Sequence, residues 1–265
     1  MISIIIPTLG NRPDELNRLF NSLSSQTYQN FEVILVTQIN HECIHDLSHD
    51  NMKIKHVKLN KKGLSYSRNE GLKYISGSIV TFSDDDCWYP EDSFQNVMNT
   101  LEKDASIDVA CFQIFDPIQD VYYKNNYDSN PKTQISKRDI TRKSSIELFV
   151  RLKNVKPEDL RFDENFGLGT KYPSGEENIF LSDLMKKKLK ISYIPQIIVY
   201  HKKPNIHSRL TETQIISKGP LFKRLTNTPV AFILLILFFL KKAKNIHHPF
   251  PTFISSVKEI LNYKK

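Results

Sequence analysis

Three consecutive carboxylates, Asp84-Asp85-Asp86, follow the β-branched run Ile79-Val-Thr-Phe82. Like charges this close repel one another, and a divalent cation bridged to a phosphate offsets the repulsion through hard oxygen ligands. The alternative reading of the triplet is a solvated turn capping a helix that starts near Pro90. A second acidic group, Gly175-Glu176-Glu177, heads an amphipathic stretch. There Ser174 and Glu177 have the spacing of a capping box, and acids in a first turn suit the helix dipole. His201 follows the apolar run Ile197–Tyr200. It is either a surface residue or, imidazole being a common metal ligand, part of a site at that strand end. A competing pattern, His41-Glu42-Cys43-Ile44-His45, matches H-E-x-x-H, with His49 extending the same face. On a helix it would carry zinc chemistry. The segment is short, polar all round and placed directly after a strand, so a surface crossover with adventitious zinc binding is expected there, ahead of protease catalysis.

Elements able to position these groups recur along the chain. Ile2–Ile6 and Glu32–Val36 are short β-branched runs, and between them Leu16, Leu19, Phe20 and Leu23 keep the spacing of a helix buried on one face. Together they read as a βαβ unit. The pattern continues with a strand at Lys53–Leu59, a helix from about Ser65 to Ser76 stopped by Gly77, and the strand Ile79–Phe82. Pro90 suits a first helical turn, Phe94, Val97, Met98 and Leu101 form the next apolar stripe, and Ile107–Ile114 is another strand. Residues 116–145 have the composition of a long loop over a binding face. Ser144–Leu152 reads as helical, a helix follows from about Glu176 to Lys188, and strands lie near 191–194 and 197–200. Alternating strands and helices predict an α/β fold with an open, mostly parallel sheet and helices on both faces. Such sheets bind ligands beyond the carboxyl ends of their strands, where Asp84–Asp86 fall.

With 265 residues, 40% hydrophobic and 25% charged, the chain can bury a sizeable core, which excludes disorder and fibrous classes. Its net charge of +8 would suggest nucleic acid or membrane if spread evenly. From Ser182 to Lys265 there are 16 basic and 3 acidic residues, net +13, which leaves residues 1–181 with 21 against 26, net −5. The basic character thus belongs to the C-terminal part, and nucleic acid loses its support. Cys43, Cys87 and Cys111 are odd in number and form no C-x-x-C, so neither a disulfide framework nor a cysteine zinc site is indicated. The N-terminal apolar run has no basic flank and ends at Pro7, as a buried strand does, and a cytoplasmic location is expected. The run Pro229–Leu240 falls short of the roughly 20 apolar residues that span a bilayer, though it could enter one leaflet.

Taken together, four blocks in order resemble a family-2 glycosyltransferase of the GT-A fold, over about residues 1–205. They are Ser3-Ile-Ile-Ile-Pro-Thr-Leu-Gly-Asn-Arg12 with Gln26; Gly63-Leu-Ser-Tyr-Ser-Arg-Asn-Glu-Gly71; Ile79-Val-Thr-Phe-Ser-Asp-Asp-Asp86 with Pro90; and Phe166-Gly-Leu-Gly-Thr170 through Glu177 to His201. The resemblance implies a Rossmann-like open mixed sheet, with a nucleotide-binding half at 1–115 and an acceptor-binding half at 116–205; beyond it, composition marks a basic, apolar helical appendage at 206–265. It implies transfer of a sugar from a nucleoside diphosphate donor, UDP-sugar first, to an acceptor hydroxyl, commonly with inversion and with Mn²⁺ or Mg²⁺ bound.

On that resemblance Asp84 and Asp86 are the acids of a D-x-D motif that hold the metal, Asp86 the more direct ligand, with His201 joining metal or diphosphate. Asp84 or Asp85 contacts the ribose or the metal through water, Arg68 meets the nucleotide, and Thr8 and Arg12 lie on the first-strand loop lining its pocket. Glu177 takes the place of the catalytic base, with Glu176 its neighbour. The chemistry agrees, because an acceptor hydroxyl needs a carboxylate to take its proton as the anomeric carbon gains oxocarbenium character. One departure is the run Val36-Thr37-Gln38, where relatives often carry an aspartate for the nucleobase; Thr37 is then the hydroxyl left to meet a base edge.

The apolar run 229–240, set between Lys223-Arg224 and Lys241-Lys242-Ala-Lys244, suits an in-plane anchor over residues 221–244 on an anionic inner leaflet. A lipid-linked saccharide acceptor in surface polysaccharide or glycolipid synthesis would explain such an anchor. A core helix packed on the domain or on a second copy is the alternative. Two other functions stand beside the transferase: a zinc hydrolase through His41, Glu42 and His45, and a non-catalytic sugar-nucleotide-binding protein tethered to membrane. Oligomeric state is not legible.

Overall fold

A computed structural model describes residues 1–45, 47, 52–204 and 211–264. Strand β1 (Ile2–Thr8), helix α1 (Pro13–Ser24) and strand β2 (Phe31–Thr37) form the expected βαβ unit, β1 and β2 pairing in parallel. Strand β3 (Lys53–Lys58), helix α2 (Leu64–Leu72), strand β4 (Ile79–Phe82) and helix α3 (Ser93–Lys103) continue the alternation. Strands β5 (Val109–Asp116), β6 (Val121–Tyr122) and β7 (Leu148–Arg151) then precede helix α5 (Glu176–Lys186) and strand β8 (Ile191–Tyr200), with the single turn α4 (Lys137–Ile140) between β6 and β7. The eight strands form one sheet in the order β3-β2-β1-β4-β7-β5-β6, with β8 paired to β5. It is mixed and mostly parallel, β7 running antiparallel to both β4 and β5.

Side chains that alternate along a strand go to opposite faces. Ile2, Ile4 and Ile6 of β1 therefore join Leu16, Leu19 and Phe20 of α1 and Phe94 and Val97 of α3 on one side. Ile5 joins Val36, Leu72 of α2 and Phe180 and Leu184 of α5 on the other. Helix α2 sits close to the sheet because Gly71 has no side chain: a Cβ there would come within 2.6 Å of Ile5 Cγ2.

Two predicted elements differ in kind, and Pro90 lies ahead of α3 rather than in its first turn. Ser144–Leu152 is not a helix but a 3₁₀ turn at Ser145–Glu147 leading into β7. Leu148 and Val150 face one core while Phe149 faces the other, a period of two that three residues cannot distinguish from helical spacing. The two short strands near 191–194 and 197–200 are the single strand β8, its register against β5 shifted between Cys111 and Ile114.

The C-terminal part folds into helices α6 (Glu212–Ile216), α7 (Lys218–Leu225), α8 (Thr228–Lys242) and α9 (Pro249–Asn262). Ile215, Ala231, Leu235, Phe239, Ile246 and Ile260 close a small core of their own. Asn227 caps α8, its Oδ1 accepting from Val230 N at 3.1 Å, and Pro229 fits the first turn, where no donor is needed. The helices are docked on the sheet domain. Arg224 of α7 grips Asp183 of α5 with both terminal nitrogens (3.1 and 2.6 Å) and gives Nε to Asp163 (2.9 Å), while Tyr172 donates to Glu259 of α9 at 2.8 Å. Among the described residues no helix is long and apolar enough to cross a membrane.

Candidate active site

β1 and β4 are parallel neighbours, so their carboxyl ends open on the same edge. Thr8, the last residue of β1, donates from Oγ1 to Asp85 Oδ2 at 2.6 Å. The acidic turn after β4 is held from outside as well. Arg18 of α1 donates to the backbone oxygen of Asp86 at 2.8 Å and lies 3.9 Å over the Trp88 ring. Trp88 and Tyr200 exchange backbone hydrogen bonds of 3.1 and 2.7 Å, which ties the turn to the end of β8. That bridge brings His201 to the acids from 115 residues away, its Nε2 3.2 Å from Asp86 Oδ1. Arg12 Nη1 reaches the same turn, 2.6 Å from Asp86 and 3.4 Å from Asp85.

Arg68 of α2 links the two acidic groups. Its side chain is 1% exposed and donates to Asp84 at 3.0 Å, to Ser145 at 2.7 Å and to Glu176 at 3.3 Å. A buried guanidinium must spend its donors on fixed acceptors, and these three pin the acidic turn to the head of α5. Glu177 lies beside Glu176, facing a cavity of about 670 Å³ that also takes in Thr8, Arg12, Arg68, Asp84–Asp86 and His201.

The electrostatics follow from burial and neighbours. Burial pushes the Asp84 and Asp85 carboxyls up. Burial acts on Asp86 in the same sense, but its hydrogen bond to His201 and the charges of His201 and Arg12 outweigh it and hold the carboxyl below its usual range. His201 is the counterpart: burial lowers it, and Asp86 more than offsets that. Burial, reinforced by the charge of Glu176, pushes Glu177 up to about 8.

Ligand atoms of Asp84, Asp86, Cys87 and His201 lie within 4.8 Å of one another. Burial raises the Cys87 thiol well above its ordinary range, so it stays protonated and is a poor ligand. Two carboxylates and an imidazole remain, a donor set that fits Mn²⁺ or Mg²⁺ better than a thiolate-seeking metal.

Thr37 is not brought to this cavity. It is fully buried, and its hydroxyl bonds His41 Nδ1 (2.7 Å) and His56 Nε2 (2.8 Å). Its neighbour Gln38 lines the cavity instead, Oε1 accepting from Gly63 N at 2.8 Å. The H-E-x-x-H run forms a 3₁₀ turn at Glu42–Ile44 rather than an α-helix. His41 is turned to Thr37, and Glu42 pairs with His45 at 2.5 Å on the exposed surface. Among the described residues these histidines join no metal-ligating group; His49 lies outside them. The capping box at Ser174 is absent too. The cap of α5 is Gly175, at φ +92°, and Ser174 Oγ accepts from Lys218 Nζ at 3.3 Å.

Lys218, at the start of α7, was not legible as a site residue. Burial lowers its ammonium, against the pull of Glu177 and Glu176. α7 docks against the head of α5 with Leu221 packed where Gly175 has no side chain; a Cβ on Gly175 would lie 2.6 Å from Leu221 Cδ2. No local pattern announces such a residue, 41 positions beyond Glu177 in a basic segment. Ser145 was missed because its stretch reads as helix.

The model for "Glycosyl transferase family 2" matches residues 3–156, more than half of the chain. The chain belongs to glycosyl transferase family 2. The family match ends before Glu177 and His201, so their placement rests on the geometry above. Glycosyltransferase GlyA of Streptococcus pneumoniae serotype 4 is 30% identical over 127 residues, which is 46% of this chain but only 18% of that protein. S. aureus TarS 1–349, solved with UDP-GlcNAc, superposes with a TM-score of 0.71 at 18% identity, covering 98% of this chain and 80% of that one. The mannosyltransferase PcManGT of Pyrobaculum calidifontis, solved with GDP-Man and Mn²⁺, gives 0.64 at 13% identity, over 100% of this chain and 88% of that one. Both likenesses show the GT-A fold, and their alignments span nearly the whole chain.

Proposed function

We propose that this family-2 protein is a metal-dependent, inverting glycosyltransferase that moves a sugar from a nucleoside diphosphate donor to a hydroxyl of a saccharide or lipid-linked saccharide. The observation that carries the reading is the meeting, in one cavity, of the Asp84–Asp86–His201 donor set with a carboxyl, Glu177, raised to about 8. A base works best with its pKa near the operating pH.

Asp84, Asp86 and His201 would hold Mn²⁺ or Mg²⁺, and the chemistry such an ion supplies is Lewis-acid neutralisation of charge on the diphosphate oxygens. Arg12 and the Thr8 edge flank the diphosphate, and Gln38 is the side chain placed to meet a base edge. Glu177 accepts the proton of the acceptor hydroxyl as that oxygen bonds to the anomeric carbon. The bond from the anomeric carbon to the phosphate oxygen breaks, and its electron pair leaves with the nucleoside diphosphate. Arg68 keeps Glu176 and Asp84 in place, which ties the head of α5, where the base sits, to the acidic turn.

The test is nucleotide release from a panel of nucleoside diphosphate sugars, UDP-sugars first, with Mn²⁺ and purified protein. Release with at least one donor, lost in Asp86→Ala and in Glu177→Gln, supports the assignment. Wild-type rates in both variants overturn it. TarS and PcManGT carry different nucleotides in their structures, which is why the panel spans both bases.

A further inference from the structure

The C-terminal helices carry a feature that sugar transfer does not use. Helix α8 buries Ala231, Leu235 and Phe239 in the small C-terminal core. Its opposite side is a second apolar stripe left in water: Ile233, Ile236, Leu237 and Leu240 are 58%, 47%, 56% and 76% exposed. Those positions are spaced i, i+3, i+4, i+7, so they lie along one face. Helix α9 adds Phe250, Ile254 and Leu261 at i, i+4 and i+11, exposed by 73%, 39% and 63%. A hydrophobic face of this extent on a folded surface marks an interaction site.

The charge around the face selects its occupant. Between Glu212 and Glu259 the chain has no acidic residue, while Lys218, Lys223, Arg224, Lys241, Lys242, Lys244 and Lys258 fall in that interval. Of these, Arg224 is committed to Asp163 and Asp183, and Lys223 donates to the backbone oxygens of Ile260 and Tyr263, so both tie α7 to its neighbours. Lys218 donates to Ser174 and Lys258 lies on α9, while Lys241, Lys242 and Lys244 fall at and just past the carboxyl end of α8, next to Leu240. A self-complementary protein interface tends to exclude uncompensated like charges from its rim, since two copies would oppose lysine to lysine. An anionic lipid surface accepts both halves of the pattern: the stripe enters the acyl boundary, and the lysines are drawn to the negative headgroups. A helix of 15 residues is too short to span, so it lies in the plane of the surface.

We infer that the exposed faces of α8 and α9, with Lys241, Lys242 and Lys244, form a docking surface for an anionic phospholipid bilayer. This goes beyond the transfer reaction and does not depend on it. The geometry also gives the surface a line to the active site. α8 packs on α7, and α7 places Leu221 and Lys218 against the head of α5, where Glu176 and Glu177 begin.

Full-length protein is sedimented with vesicles of phosphatidylcholine alone or with about a third phosphatidylglycerol, at low and high salt. Binding to the anionic vesicles, at least tenfold weaker to the neutral ones and weakened by salt, is expected. Leu237→Ser with Leu240→Ser, and separately the charge reversal of Lys241, Lys242 and Lys244 to Glu, should each lower binding at least tenfold. Because all five side chains are at the surface, thermal midpoint and donor hydrolysis in solution should stay at the wild-type level, separating lost docking from lost folding. Protein that stays in the supernatant with anionic vesicles overturns the inference. So does a wild-type dimer that the Leu237→Ser/Leu240→Ser variant converts to monomer with vesicle binding unchanged, since the occupant would then be a second copy.

Discussion

At the carboxyl edge of the sheet each negative charge has a cation close by: Asp84 meets Arg68, Asp85 meets Arg12, Asp86 meets Arg12 and His201, and Glu176 meets Arg68. On the C-terminal helices the cations at the end of α8 stand beside an apolar stripe with no acid in the surrounding sequence. The first region is neutralised from within, as buried charges must be. The second is left unbalanced at the surface, where water bears the cost and a partner of opposite charge can collect the difference. Glu177 breaks the first pattern. Among the described residues it forms no ion pair, and burial together with the charge of Glu176 raises its pKa.

The sharpest way to break the comparison is to remove that exception. Glu177→Gln should lower transfer by roughly 10²–10⁴-fold, the range for losing a positioned general base, read as initial rate with saturating donor. The same variant should be more heat-stable than wild type at pH 8 to 9. The folded-state pKa lies above the ordinary 4.5, so the group's stabilisation is complete below 4.5 and is lost as pH rises through about 8. Glutamine removes that dependence, and a thermal midpoint that falls instead would mean that Glu177 is ionised and paired in the fold.

Asp86→Ala removes a paired acid from the same edge. It should cost roughly 10³-fold in metal-supported donor hydrolysis and weaken Mn²⁺ binding by calorimetry, several kcal/mol being typical of metal charge stabilisation. Lys218→Met tests whether the two regions communicate. With that ammonium gone, the limb along which kcat/KM rises with pH should move up by about one unit, and activity at pH 7 should fall roughly tenfold. Lys218→Arg should restore the limb. A fall in activity with an unshifted limb would make Lys218 a packing residue. The smallest effect is expected from Gln38→Ala, about fivefold in donor KM with kcat unchanged, the worth of one net hydrogen bond.

Much of this molecule is legible without coordinates because its signals are local. The run Ile79–Phe82 followed by three acids is a buried strand ending in a turn, and Leu16, Leu19, Phe20 and Leu23 can only be one helix face. Failures came where two structures share one short pattern. Ser144–Leu152 holds apolar residues that suit either period, and its neighbours β4 and β5 decide for a strand. Ser174-Gly-Glu-Glu177 satisfies the capping-box spacing, but Gly175 takes the cap and Lys218 takes the serine. His41–His45 has metal spacing only if helical, and the 3₁₀ turn denies it that face.

By itself the sequence determined the alternation of strands and helices, the acidic turn, the split of charge between the two parts and the family. All of these follow from residues close together in the chain. Tertiary structure alone decided which distant groups meet: His201 with Asp86 through the Trp88–Tyr200 bridge, Arg68 with both acidic groups, Lys218 with the head of α5, and Gln38 rather than Thr37 at the cavity. It also decided that α8 is buried on one face and bare on the other. Such contacts are set by packing between elements, where a few tenths of a turn of a helix or one residue of register changes which side chain arrives, and no local spacing encodes that.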